Sequence, residues 1–167
     1  MPSYFRHIVH FLLVAMMMMS ITSCARWREA KAVIAEADRL LGEGVIMRDT
    51  AALADVIKAL DNPIGRVIAR EELAEAYYLM GRNLDDYCRD CATATDYYIE
   101  ADRLKTKDMV LRGRINSCMG YLCKQDSCFE EALEFYLRSS SAFKESGNEW
   151  YYAHNLLNVA ERYIYLH

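Results

Sequence analysis

The sequence predicts an all-α fold of antiparallel helical pairs, and three observations carry that prediction. After Ala25 the chain contains a single proline, Pro63. No stretch shows the sustained apolar/polar alternation of a half-buried strand, whereas apolar residues recur at helical spacing almost throughout. Small residues also stand at fixed offsets from large ones in several segments, a pattern that lets two helices approach closely.

The first 23 residues are read apart from the fold. Arg6, with His7 and His10, makes a basic start, Phe11 to Met19 an apolar centre, and Ser20, Thr22 and Ser23 a small-residue end. That order is a secretory signal, and it is too short for a membrane span of about 20 apolar residues. A chain beginning at Cys24 would have 144 residues with 19 basic and 24 acidic side chains. Its mild acidity, with no basic cluster after Cys24, argues against nucleic acid as a partner and against a polybasic membrane patch.

The helices follow in order. "WREAKAVIAEADRLL" puts Ala30, Ile34, Ala37 and Leu41 on one face, and Gly42 and Gly44 stop it. "DTAALADVIKAL" offers Asp49 or Thr50 as a cap, repeats Leu53, Val56, Ile57 and Leu60, and ends at Asn62-Pro63. Further helices are predicted at roughly 65–81, 91–105, 107–124, 128–145 and 149–166, seven in all. Two of them share an Ala, an aromatic four residues on and a small residue three further: Ala94, Tyr98, Ala101 and Ala132, Tyr136, Ser139. Ala30, Ile34 and Ala37 keep the spacing without the aromatic. A second pattern joins Leu73-Ala74 with Tyr77 and Gly81, Met119-Gly120 with Cys123, and Val159-Ala160 with Tyr163.

Two resemblances rest on these residues. Ile21-Thr22-Ser23-Cys24 resembles the bacterial lipobox, which implies cleavage before Cys24 and a lipid on its thiol. The alternating helices, with "FEEALEFYLRSSSAF" the nearest match, resemble the tetratricopeptide repeat, which implies a short right-handed solenoid. Its first-helix patterns stand 46 and 40 residues apart where that repeat has about 34, and Cys123 replaces an aromatic. Together the lipobox, "AEADRLL", "ELAEAYYLMGR" and the repeats are similar to repeat-containing lipoproteins of Bacteroidetes-type bacteria. The implied organisation is a lipoprotein signal at 1–23, a lipidated N-terminus with a first helical pair at 24–64, and repeats at 65–167, the last incomplete. The implied location is the cell envelope, lipid-anchored, at the outer membrane facing the periplasm.

Chemistry is sparse. His154 and His167 are the only histidines after the signal, and HExxH, GxSxG and a phosphate-cradling glycine loop are all absent, so the chain is expected not to be an enzyme and to need no cofactor or metal. Glu71-Glu72 and Glu130-Glu131 are adjacent on helices and do not face each other. Cys88-Arg89-Asp90-Cys91 has the spacing of a redox or metal motif, and export leaves a structural disulfide open. Cys118 and Cys123 point about 140° apart on one helix and read as small core residues.

A stacked array of helical pairs exposes a concave surface lined by the first helix of each pair, suited to a protein or peptide partner. The repeat alignment places Glu71, Glu75 and Tyr78 there from one helix, Arg114, Ser117, Tyr121 and Lys124 from the next, and His154, Leu157 and Glu161 from the last. That last helix carries Trp150, Leu157 and Ile164 with nothing after it to cover them, so residues 149–166 are expected to self-associate, to bind a partner, or to belong to a longer repeat protein or sensor.

Overall fold

The computed structural model describes residues 25–45, 47, 50–85 and 90–166, and every regular element among them is helical. The lipobox, Cys24 and Cys88 lie outside the described residues. In chain order the helices are α1 (25–42), α2 (Ala51–Leu60), α3 (Gly65–Ile68), α4 (Arg70–Asn83), α5 (Cys91–Arg103), α6 (Met109–Gln125), α7 (Phe129–Ser146) and α8 (Glu149–Leu166).

Local chemistry sets most of the boundaries. Helix α1 buries Ala30, Ile34 and Ala37. It closes with Gly44 in the left-handed conformation (φ 73°), Gly44 N donating to Leu41 O and Val45 N to Leu40 O, the Schellman arrangement that satisfies the last carbonyls. Gly147 ends α7 in the same way, with Asn148 N donating to Phe143 O. Asp90 caps α5 by accepting from Thr93 N, and Asp108 caps α6 by accepting from Val110 N and Leu111 N. Thr50 stands at the N-cap of α2, but its hydroxyl does not cap the helix.

The segment predicted as one helix from 65 to 81 is two. Asn62 organises the turn before it, its side-chain oxygen accepting from Ile64 N and Gly65 N while its amide donates to Ala59 O. Gly65 then passes so close to Leu60 that a Cβ would lie 2.0 Å from the Leu60 carbonyl oxygen. After this forced approach the chain makes one helical turn, breaks at Ala69 (φ −119°, ψ 33°) and restarts as α4. Asp61 holds the corner, accepting from the Tyr77 hydroxyl at 2.6 Å and from Arg66, which also reaches Glu100 of α5.

From α4 onward each helix packs on its successor in the chain, α4 on α5, α5 on α6, α6 on α7 and α7 on α8, while α2 and α3 pack on α4 and α4 also meets α6. The main core runs from Ala30, Ile34 and Ala37 through Leu73, Leu79, Tyr98 and Ile115, and a smaller cluster of Ala132, Tyr136 and Val159 joins α7 to α8. Aromatic rings seat on glycines where α4 meets α5 and where α6 meets α7. A Cβ on Gly81 would come within 2.7 Å of the Tyr98 ring, one on Gly120 within 2.9 Å of Tyr136, and one on Gly113 within 2.5 Å of Phe143. Gly120 follows Gly81 by 39 residues and Tyr136 follows Tyr98 by 38, so this contact occurs a second time 38 to 39 residues on. The pairing of Leu73-Ala74 with Met119-Gly120, 46 apart, is therefore about two turns out of register with the packing. Gly120 matches Gly81, and Gly113, where Ser139 Oγ donates to the carbonyl oxygen at 2.8 Å, matches Ala74.

Candidate functional site

The residues expected to line a binding surface fall into three groups. Glu71 is taken up by the fold. Its carboxylate accepts from the buried Thr106 hydroxyl and from Lys107 N at 3.1 Å, strapping α4 to the turn before α6. Burial opposes its charge, but these bonds outweigh the opposition and its pKa is lowered.

Glu75, Tyr78 and Arg114 come together, joined by Asp38 of α1. Arg114 donates from Nη2 to Asp38 Oδ1 at 2.9 Å and from Nε to the Tyr78 hydroxyl oxygen at 3.2 Å, with its guanidinium 4.7 Å above the Tyr78 ring. The expectation that Tyr78 is an open surface residue is corrected: it is only 2% exposed, because Arg114 and the surrounding helices cover it. Burial pushes its hydroxyl up to about 12. Glu75 stands half-buried beside this pair, and its pKa is raised, first by desolvation and then by the negative charge of Asp38, with Arg114 opposing. Lys31 of α1 reaches Glu72 of α4 at 3.1 Å.

The third group lies toward α8. Lys124 grips both carboxylate oxygens of Glu161 at 2.9 Å, and this bond is the leading cause of the lowered Glu161 pKa. Tyr121 is 48% exposed on α6, three residues before Lys124, and Ser117 is half-buried one turn before Tyr121. His154 is exposed and stacks on Trp150 at 5.5 Å, and Leu157 is 69% exposed. The ion pairs Lys31–Glu72, Asp38–Arg114 and Lys124–Glu161 thus link α1 to α4, α1 to α6 and α6 to α8. Asp38 was missed in the sequence reading. Its signal was its place immediately after Ala37, flanking the buried stripe of α1.

The cysteines sit in separate surroundings. Cys118 packs on the main core with its thiol beside the buried Tyr98 hydroxyl, Cys123 packs on the α7–α8 cluster, and burial raises the Cys123 pKa. Cys91 Sγ points to Gln125 Oε1 at 3.9 Å, and Cys128 is exposed. Among the described residues no group of three or more His, Cys, Asp or Glu is arranged to hold a metal ion.

Glu75 yields a directional prediction. Because its folded pKa is raised, the folded state binds the proton more tightly than the unfolded chain, so its contribution is favourable below the ordinary carboxylate value and is lost as pH rises through the folded pKa. Glu75→Gln is therefore expected to raise the melting temperature at pH 7 and to lose that advantage below about pH 4. Thermal unfolding of both proteins at the two pH values checks it, and an unchanged or lowered melting temperature at pH 7 contradicts it.

Comparison with protein-family models, with curated proteins and with solved structures finds no match to this chain.

Proposed function

We propose that the chain is a lipid-anchored scaffold of the tetratricopeptide-like, right-handed solenoid kind, held in the bacterial envelope by Cys24 and binding a protein or peptide partner without catalysis. The observation that carries this reading is the run of cross-helix ion pairs on α1, α4, α6 and α8. Such pairs tie together α1, α4, α6 and α8, which are not neighbours in the chain, and leave Tyr121 exposed and Ser117 and Glu75 half-buried on those helices. The recurrence of the ring-on-glycine junction at 38 to 39 residues supports a repeat built of helical pairs. Among the described residues no helix is long and apolar enough to cross a membrane, and in this reading the anchor is the lipid on Cys24.

One experiment tests both halves of the reading. A photoreactive phenylalanine analogue replaces Tyr121 in the full chain, in an otherwise wild-type background and in Cys24→Ser. The first is expected to incorporate labelled palmitate and to give a crosslinked adduct with a second protein in isolated membranes. Cys24→Ser is expected to lose the label and the anchor. Lipid label persisting in Cys24→Ser overturns the anchor, and absence of any protein adduct at position 121 overturns the binding surface.

A further inference from the structure

The outer face of α8 carries a regular pattern of exposed apolar residues. Trp150, Leu157 and Ile164 are 69%, 69% and 77% exposed, and the exposed alanines Ala153 and Ala160 lie between them. The steps along this row are three, four, three and four residues, the spacing of a heptad seam. Leu156 and Tyr163, both exposed, widen it on one edge, and His154 and Glu161 flank the other. The opposite side of the helix is already used: Tyr151 stacks on Phe143 at 5.0 Å, Asn155 Nδ2 donates to Tyr136 O at 2.6 Å, and Val159 packs with Ala132 and Tyr136.

We propose that this row is the interface of a two-fold symmetric dimer, in which α8 pairs antiparallel with α8 of a second copy of the chain. The order large, small, large, small, large reads the same in both directions. A two-fold axis between Leu157 and Ala160 sets Leu157 over Ala160 and Ile164 over Ala153 of the second copy, and the same contacts in return, with Trp150 at the outer end of the seam. Interfaces with this symmetry place the same patch on both sides and so require such self-complementarity. Antiparallel pairing also brings like edges of the seam together. His154 then faces Glu161 of the second copy, Leu156 faces Tyr163, and no two like charges meet. With aromatic side chains at about 150–250 Å² each, the exposed apolar part of the row is roughly 600 Å² per copy, and the roughly 1,200 Å² of a pair reaches the lower end of specific interfaces.

The proposal concerns the outer row of α8 and stands independently of the binding surface tested at Tyr121. Its test uses the full chain in membranes and in detergent. A photoreactive phenylalanine analogue at Leu157 is expected to give an adduct of twice the chain mass whose peptides all come from this protein. Sedimentation of the detergent-solubilised wild type at micromolar concentration is expected to give a dimer, and Leu157→Glu to weaken it by at least about a hundredfold, since the substitution sets two carboxylates at the centre of the seam. Differently tagged Leu157→Glu and Leu157→Lys copies, expressed together, are expected to recover each other while neither recovers its own kind. A monomeric wild type, a position-157 adduct with a different protein, or a mixed pair no stronger than the like pairs each overturns the proposal.

Discussion

Replacing Ala132 with tryptophan is expected to destabilise the protein by about 3 kcal/mol or somewhat more, at the upper end of what overpacking a core costs. Ala132 is fully buried on the first turn of α7, where Tyr136, Val159, Cys123 and Leu133 close around it. Those neighbours come from α6, α7 and α8, so an indole at this position cannot be accommodated by moving one side chain; it must part helices. For a chain of this size such a loss corresponds to a fall of roughly 6–12 °C in melting temperature. Thermal unfolding followed by circular dichroism measures it, with Ala132→Ser as the control that adds almost no volume. A wild-type melting temperature for the tryptophan variant would mean that α7 does not approach its neighbours as closely as described.

Truncating Tyr98 to alanine is expected to cost about 3–5 kcal/mol, the range for removing a large aromatic ring from a core. The ring is fully buried, lies against Gly81, and stands 6.2 Å from the ring of Tyr78. Its loss would leave a void between α4 and α5. Gly81 supplies the complementary half of the test. A Cβ there meets the Tyr98 ring at 2.7 Å, so Gly81→Ala should destabilise the wild type yet cost less in the Tyr98→Ala background, where the methyl group enters the void. Equal costs of Gly81→Ala in the two backgrounds would separate the residues energetically and contradict the packing.

The helices were legible because their buried stripes repeat at helical spacing and their ends carry local signals: Gly44 and Gly147 in the left-handed conformation, Asp90 and Asp108 as caps. The break at Ala69 was not legible, since alanine favours a helix and its side chain carries no stop signal. The repeat register was misread for a related reason. Leu73-Ala74 and Met119-Gly120 look equivalent as letters, but what recurs in space is a ring on a glycine, and the rings lie on the following helix. At the candidate site, the repeat alignment assigned Glu75, Tyr78, Arg114, Lys124 and Glu161 to one surface but gave no contact between them; the structure joins Arg114 to Tyr78 and Lys124 to Glu161. The alignment could not foresee that Thr106 and Lys107 would occupy Glu71, or that Asp38, 76 residues before Arg114, would draw that guanidinium over Tyr78 and bury it. Such long-range pairings leave no periodic trace in one sequence.

The order in which α4 to α8 pack has a consequence for the rate at which the chain folds. Each of these helices finds its first partner in the helix just before it, and the connections are short: residues 104–108 between α5 and α6, 126–128 between α6 and α7, and 147–148 between α7 and α8. Closing loops of a few residues costs little chain entropy, and topologies dominated by local contacts fold in microseconds to milliseconds rather than seconds. From α4 onward assembly can then proceed by adding one helix at a time to a formed edge, whereas α1 waits for its partners in α4 and α6. The same geometry makes loss of structure directional. Helix α8 is held by α7 and by few contacts elsewhere, and its buried Arg162 lacks an acceptor at Nε, with Glu161 Oε1 2.7 Å from Nη2 and the ring of Tyr165 4.8 Å away. In the monomer the array should therefore open first at that end, with the amides of α8 exchanging their hydrogens ahead of those in α4 and α5.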